Sequence, residues 1–211
     1  MKARPMIFSS PMVRALLAGQ KTQTRRVIKH ADILEVYGRG FELRRIEGFL
    51  AAVAADGAYV KRPYGVVGDR LWVRETYAHL ITDQCPWRYK ATDDTTMYEW
   101  KSSMFMPRAA SRIELEITGI RVERVQDISG ADAIAEGAIE SVQWANEEAK
   151  QSWLGNEGYA KGCYRHLWNE INGKKHPWDS NPWVWVVEFK RVDNCQNCVH
   201  ANQGACCGGV R

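Results

Sequence analysis

The pattern that most constrains this chain is a period of two. Arg112-Ile113-Glu114-Leu115-Glu116-Ile117 alternates strictly between charged and apolar residues, and Leu71-Trp72-Val73-Arg74 alternates after the turn Gly65-Val66-Val67-Gly68-Asp69. A strand places successive side chains on opposite faces, so each segment is predicted as a strand with one face toward a core. Leu71 and Val73 share that face; Trp72 and Arg74 share the other. Beyond Gly119, Ile120 to Val125 reads as a further strand, and Trp183-Val184-Trp185-Val186-Val187-Glu188-Phe189 as the strongest strand, central or closing in its sheet. Several short strands with few helices between them imply an α+β fold, mainly β. The sheet should be antiparallel or mixed and curved into a small barrel with short flanking helices.

Two helices are signalled by their ends. Ser9 or Ser10 caps a segment with Pro11 at its first position and Met12, Val13, Leu16 and Leu17 at helical spacing, and Gly19 stops it, which predicts a helix over 11–18. Ser129 with Asp132 forms a capping box ahead of Ala133-Ile134-Ala135, and Gly137 ends that helix. Three long stretches read as insertions, at 29–63, 78–107 and 138–176. Phe49 to Ala55 fits either a helix piece or a buried strand, a β-like piece lies around Tyr89 and Lys90, and helical character is expected near Glu147–Trp153 and Tyr164–Ile171. Composition changes abruptly after Val192, so the sequence divides into a domain over 1–192 and a Cys-rich tail over 193–211.

Composition excludes several classes. Apolar residues make up 45% and charged residues 26% of the 211, which is globular rather than disordered or fibrous. No apolar run reaches the roughly 20 residues of a membrane-spanning helix, and no secretory leader is readable. A cytoplasmic location with no membrane partner, and cysteines reduced or metal-bound, is therefore expected. The net charge of +4 is unevenly spread: up to Arg74 there are 14 lysines and arginines against six acidic residues. That bias fits either a phosphate-binding surface or a solvated basic face.

The segment Gly19-Gln20-Lys21-Thr22-Gln23-Thr24-Arg25-Arg26 concentrates two hydroxyls, an amine and two guanidiniums at a helix end. Nucleophile, base and anion-binding groups then sit around one turn, although a solvated strand edge has the same letters. Residues three apart on a strand face opposite ways, so Lys21 and Thr24 converge only if Lys21 belongs to the turn or a bulge intervenes. Arg25, Arg26, Arg70 and Arg74 with Trp72 are candidates for phosphate contact and base stacking, or form a charged outer face. Of nine tryptophans, six fall between residues 144 and 185. Most are expected in the core, with Trp178 the best placed to wall a pocket.

The helix, the Gly-x-Lys-Thr-x-Thr-Arg turn, the Gly68-Asp69-x-Leu71 turn and strand, the Ile128–Gly137 helix and the Val184–Phe189 strand together resemble the ASCH domains, relatives of the PUA domains. The longer ASCH proteins of phage and prophage genomes are most alike. The resemblance implies a PUA-like β-barrel holding a nucleobase in a cleft. It also implies the family's N4-acetylcytidine amidohydrolase chemistry, with Lys21 as base, Thr24 as nucleophile and Glu136 as orienting or acidic group. Thr22, Arg25, Arg26, Arg70, Trp72 and Arg74 would bind substrate: a nucleoside, RNA or DNA carrying a modified base. A non-catalytic reader of RNA, DNA or a modified base, and a ribonuclease, are the alternatives.

No cofactor is needed for that chemistry. The tail holds Cys195-x-x-Cys198 followed by Cys206-Cys207, half of a well-formed zinc site with an irregular second half; zinc binding and a metal-free tail both fit. Cys85 and Cys163 are isolated and expected to serve packing.

Overall fold

A computed structural model of the chain describes residues 2–28, 41–46, 49–54, 59–61, 64–81, 86–93, 95–139 and 157–192. Its centre is a five-stranded sheet built from β1 (Ala3–Ile7), β2 (Gln23–Val27), β6 (Arg70–Arg74), β9 (Glu114–Arg124) and β10 (Trp183–Val192). The strand order is β1-β6-β9-β10-β2, with β1 parallel to β6 and every other neighbour antiparallel. A mixed sheet is therefore confirmed and β10 is internal, as expected of its apolar run. The closed barrel is not: among the described residues β1 and β2 are free edges of an open sheet. What crosses between them is a side chain, since Arg26 Nη2 donates to the Ile7 carbonyl at 2.7 Å.

Alternation sets the faces. Leu71 and Val73 of β6, Leu115 and Ile117 of β9, and Val184 and Val186 of β10 enter one core with Met12, Val13 and Leu16 of α1 (Ser10–Leu17). The core also takes Ala133 of α2 (Gly130–Ala135) and Tyr164, Leu167 and Trp168 of α3 (Glu157–Asn172). Trp183 and Trp185 occupy the other face of β10 in a smaller cluster with Ile28. Burying both faces of β10 explains its nearly continuous apolar sequence.

Two local readings change. β1 is a strand that the pattern did not announce, because Arg4 and Pro5 interrupt it; an edge position tolerates the missing N–H. The segments before and after Gly119 are one strand, β9, paired with β10 across a register shift at Glu188/Phe189. A Cβ on Gly119 would meet the Glu188 side chain, which would have to shift aside. Of the two readings of the segment after Gly48, the strand holds: it is β4 (Phe49–Ala54), in a separate antiparallel sheet with β3 (Phe41–Ile46) and β5 (Tyr59–Lys61). Within the second insertion β7 (Tyr77–His79) pairs with β8 (Trp87–Tyr89). The predicted helix around Glu147–Trp153, Cys85 and the whole 193–211 tail lie outside the described residues.

The capping predictions hold closely. α1 begins after Ser9 with Pro11 in its first turn, although the Ser9 side chain makes no cap bond. Ser129 Oγ accepts from the Asp132 N–H at 3.0 Å, and Gly137 closes α2 at φ +74°.

Candidate functional site: a buried lysine clamp

Past the Gly19 stop, the amides of Gln20 and Lys21 both donate to the Ala15 carbonyl, at 2.9 and 3.1 Å. Lys21 therefore belongs to the turn and not to β2. Its neighbour Thr22 ties the turn down: the Thr22 amide donates to Ala135 O at 2.9 Å, and the Thr22 carbonyl accepts from Phe189 N–H at 2.8 Å. These bonds fix the turn against the ends of α2 and β10.

The turn delivers Lys21 into the interior, where it is 4% exposed, against Glu136 at the end of α2, 3% exposed. Lys21 Nζ donates to Glu136 Oε2 at 2.8 Å and to the Glu136 carbonyl at 2.6 Å. Residues 115 positions apart are thus paired out of water. Arg25 Nη1 reaches the second oxygen, Oε1, at 3.2 Å. Burial lowers the Lys21 pKa below its usual 10.5; Glu136 opposes that shift, while Arg26 and Arg25 add to it.

A second layer holds Arg25. Its Nη2 donates to Asp132 Oδ2 at 3.1 Å and to Glu123 Oε1, and its guanidinium lies 5.9 Å from the centre of the buried Tyr164 ring. Burial drives the Tyr164 hydroxyl pKa well above the ordinary tyrosine value, so the ring is neutral. Gln23 Nε2 donates to Asp132 Oδ1 at 3.0 Å and to the Asp132 carbonyl at 2.9 Å. Arg121 bridges Asp132 (3.0 Å), Glu123 (3.2 Å) and Glu188. Burial works to raise the Asp132 pKa, but the Gln23 amide and the charges of Arg25 and Arg121 outweigh it and lower it.

The structure brings Lys21, Glu136 and Arg25 together. Thr24 is buried beside them but sits across the strand: it pairs with Val187 and, by alternation, shares a face with Arg26, whereas Gln23 and Arg25 share the other. Among the described residues no hydrogen bond joins Thr24 to Lys21 or Glu136. The two faces meet at Phe8, whose ring centre is 5.8 Å from Lys21 Nζ and 5.5 Å from Arg26 Cζ.

Arg70, Trp72 and Arg74 stand apart from the clamp, on the face of β6 away from the core. Arg70 lies against Glu114 (3.6 Å) and Glu116 (4.0 Å), and Arg74 and Arg108 flank the Trp72 ring at 5.5 and 5.6 Å. Trp178 is a packing residue, edge-on to Tyr164 at 6.0 Å, as is the buried Cys163. Among the described residues no group of His, Cys, Asp and Glu is arranged to hold a metal, and Cys195, Cys198, Cys206 and Cys207 lie beyond them.

Sequence reasoning missed Asp132, Glu123, Tyr164 and Arg121. Asp132 was legible, because it stands four residues before Glu136 and so on the same helix face. Gln23 was too, lying between Lys21 and Arg25 at a spacing of two. Tyr164 carries no local signal; only the packing of α3 brings it to Arg25.

No family model matches the chain, and no curated protein matches it. Among solved structures the chain is similar to an ASCH domain from Lactobacillus crispatus JV V101, with 11% identity, a TM-score of 0.39, and coverage of 90% of this chain and 79% of that one. The fold and the clamp define this protein as a mixed α/β chain with a buried, carboxylate-bound lysine. No described helix is long and apolar enough to cross a membrane.

Proposed function

We propose that the chain engages a modified nucleobase at the Lys21–Glu136 clamp and hydrolyses an amide on it, removing an acyl group from a modified cytidine or another modified base. The observation that carries this reading is the Lys21 amine: buried, with a lowered pKa, and fixed by Glu136. A lysine of ordinary pKa is a poor base near neutrality, and desolvation with two neighbouring guanidiniums is how such an amine is made available. In the proposed cycle neutral Lys21 leaves Glu136 and turns past the edge of β2 to take the Thr24 hydroxyl proton, and Thr24 Oγ1 attacks the amide carbonyl. The C–N bond breaks as the ammonium of Lys21 returns the proton to the leaving amine. Water then hydrolyses the ester and frees Thr24. Glu136 holds the lysine in place, and Arg25 holds the second Glu136 oxygen. The ASCH resemblance of the turn and helix points the same way.

The experiment is turnover of N4-acetylcytidine and of acylated nucleic acid, followed by mass spectrometry. Loss of at least 100-fold is expected in Lys21→Ala and in Thr24→Ala, and kcat/KM should rise with pH through an ionisation below 10.5. Hydrolysis that survives either substitution removes that residue from the mechanism.

One observation favours a second reading. Lys21 Nζ already donates to two Glu136 oxygens, at 2.6 and 2.8 Å, which suits a charged ammonium locking the site of a non-catalytic base reader. Tight binding of a modified base with no turnover would establish that reading.

A further inference from the structure

The face of β6 away from the core carries positive charge that the clamp does not use. Trp72 stands at its middle, and the Cζ atoms of Arg74 and Arg108 lie 5.5 and 5.6 Å from the centre of the Trp72 ring. Two guanidiniums thus meet at one indole. An aromatic ring orients a guanidinium without cancelling its charge, whereas a carboxylate does both. Among the described residues Arg74 forms no ion pair with a carboxylate. Arg108 shares Glu114, the register partner of Trp72, with Arg70, and Glu116 is divided between Arg70 at 4.0 Å and Lys190 at 3.1 Å. Arg70, Arg74, Arg108 and Lys190 therefore bring four positive charges to two carboxylates. Positive charge is left over. Beside Arg74, its register partner Ile7 on the edge strand β1 adds an apolar side chain that is 41% exposed.

Guanidinium forks held in place with charge to spare match phosphate oxygens. A nucleic-acid strand also carries apolar base faces between its phosphates, which suits cations interleaved with Trp72 and Ile7; a run of carboxylates supplies only the charge. We propose that this face binds the phosphodiester backbone of a single-stranded nucleic acid, with Arg74 and Arg108 contacting phosphates beside Trp72. The inference rests on the reading of the clamp as a nucleobase site and extends it: the base is presented within a polymer that is gripped at a second position, rather than as a free nucleoside.

Fluorescence anisotropy of a short labelled single-stranded RNA, titrated with the full chain over a range of salt, tests it. Affinity should fall as salt rises. The slope of log affinity against log salt should shrink by about 0.7 in Arg74→Gln and by about 0.7 more when Arg108→Gln is added, because each phosphate contact on a single strand contributes that much. Arg165→Gln, which removes an equal charge from an exposed pair with Asp179, should leave the slope unchanged. Hydroxyl-radical footprinting of the wild-type protein needs no variant to fold, and the RNA should protect Ile7 and Trp72. Absence of RNA binding, a slope indifferent to both substitutions, no protection of Ile7 and Trp72, or tighter binding of a polyglutamate peptide than of the RNA overturns the proposal. Turnover of free N4-acetylcytidine reads the clamp separately. RNA held at Trp72 without turnover would sink the hydrolase and keep this surface; turnover with an indifferent slope would do the reverse.

Discussion

At the scale of single residues, burial decides what Lys21 is worth. Removing Glu136 leaves two cations, Lys21 and Arg25, enclosed against a neutral partner, whereas removing Lys21 leaves Glu136 still paired with Arg25. Breaking a buried pair from one side costs about 3–5 kcal/mol. Glu136→Gln is expected to lose stability in that range by urea denaturation, and Lys21→Met to lose less. The pH dependence has a defined sign. Because the folded-state pKa of Lys21 is lowered from 10.5, the unfolded chain holds the extra proton between the two values, and stability rises with pH across that window. Subtracting the Lys21→Met curve from wild type should show this slope, and a flat difference would mean that Lys21 titrates normally.

Among the elements, the junction of α1, α2 and β2 controls the clamp, and Gly137 is its hinge. A Cβ on Gly137 would stand 2.9 Å from Ala15 Cβ of α1 and 3.5 Å from Lys21 Cβ, and the backbone is at φ +74°. Left-handed strain costs about 1–3 kcal/mol, and the added methyl pushes apart the two elements that seat Lys21 and Glu136. Gly137→Ala should therefore lower the unfolding midpoint and reduce turnover together. Gly19→Ala has the same strain at φ +73° with open space around it, so it should cost stability while sparing activity more. Equal effects on activity would show that the close packing at Gly137 is unimportant to the site.

For the molecule as a whole, every described core residue lies at or before Phe189, and β10 ends at Val192. A chain ending at Val192 is expected to unfold cooperatively with the midpoint of the full chain. Zinc analysis of both chains tests the tail: one zinc per full-length chain, absent after truncation, would assign Cys195, Cys198 and the Cys206-Cys207 pair as ligands, and no zinc in either would remove that site. The strands with strict alternation, the Ser129 cap and the Gly19 and Gly137 stops were readable from the letters, because each is a local rule of spacing or backbone freedom. Lys21 and Glu136 were readable as a pair only through the ASCH resemblance. β1, the open sheet and the approach of Glu123, Arg121 and Tyr164 around Arg25 were not readable, since edge strands tolerate poor patterns and long-range pairings leave no local signal. The sequence alone determined which side chains could serve as base, carboxylate and anion contact. Tertiary structure decided which of them are neutralised: charge pairing depends on approach through space, and packing of α2 against β2 beside β9 gave Arg25 its carboxylates and left Arg26 and Arg74 without them.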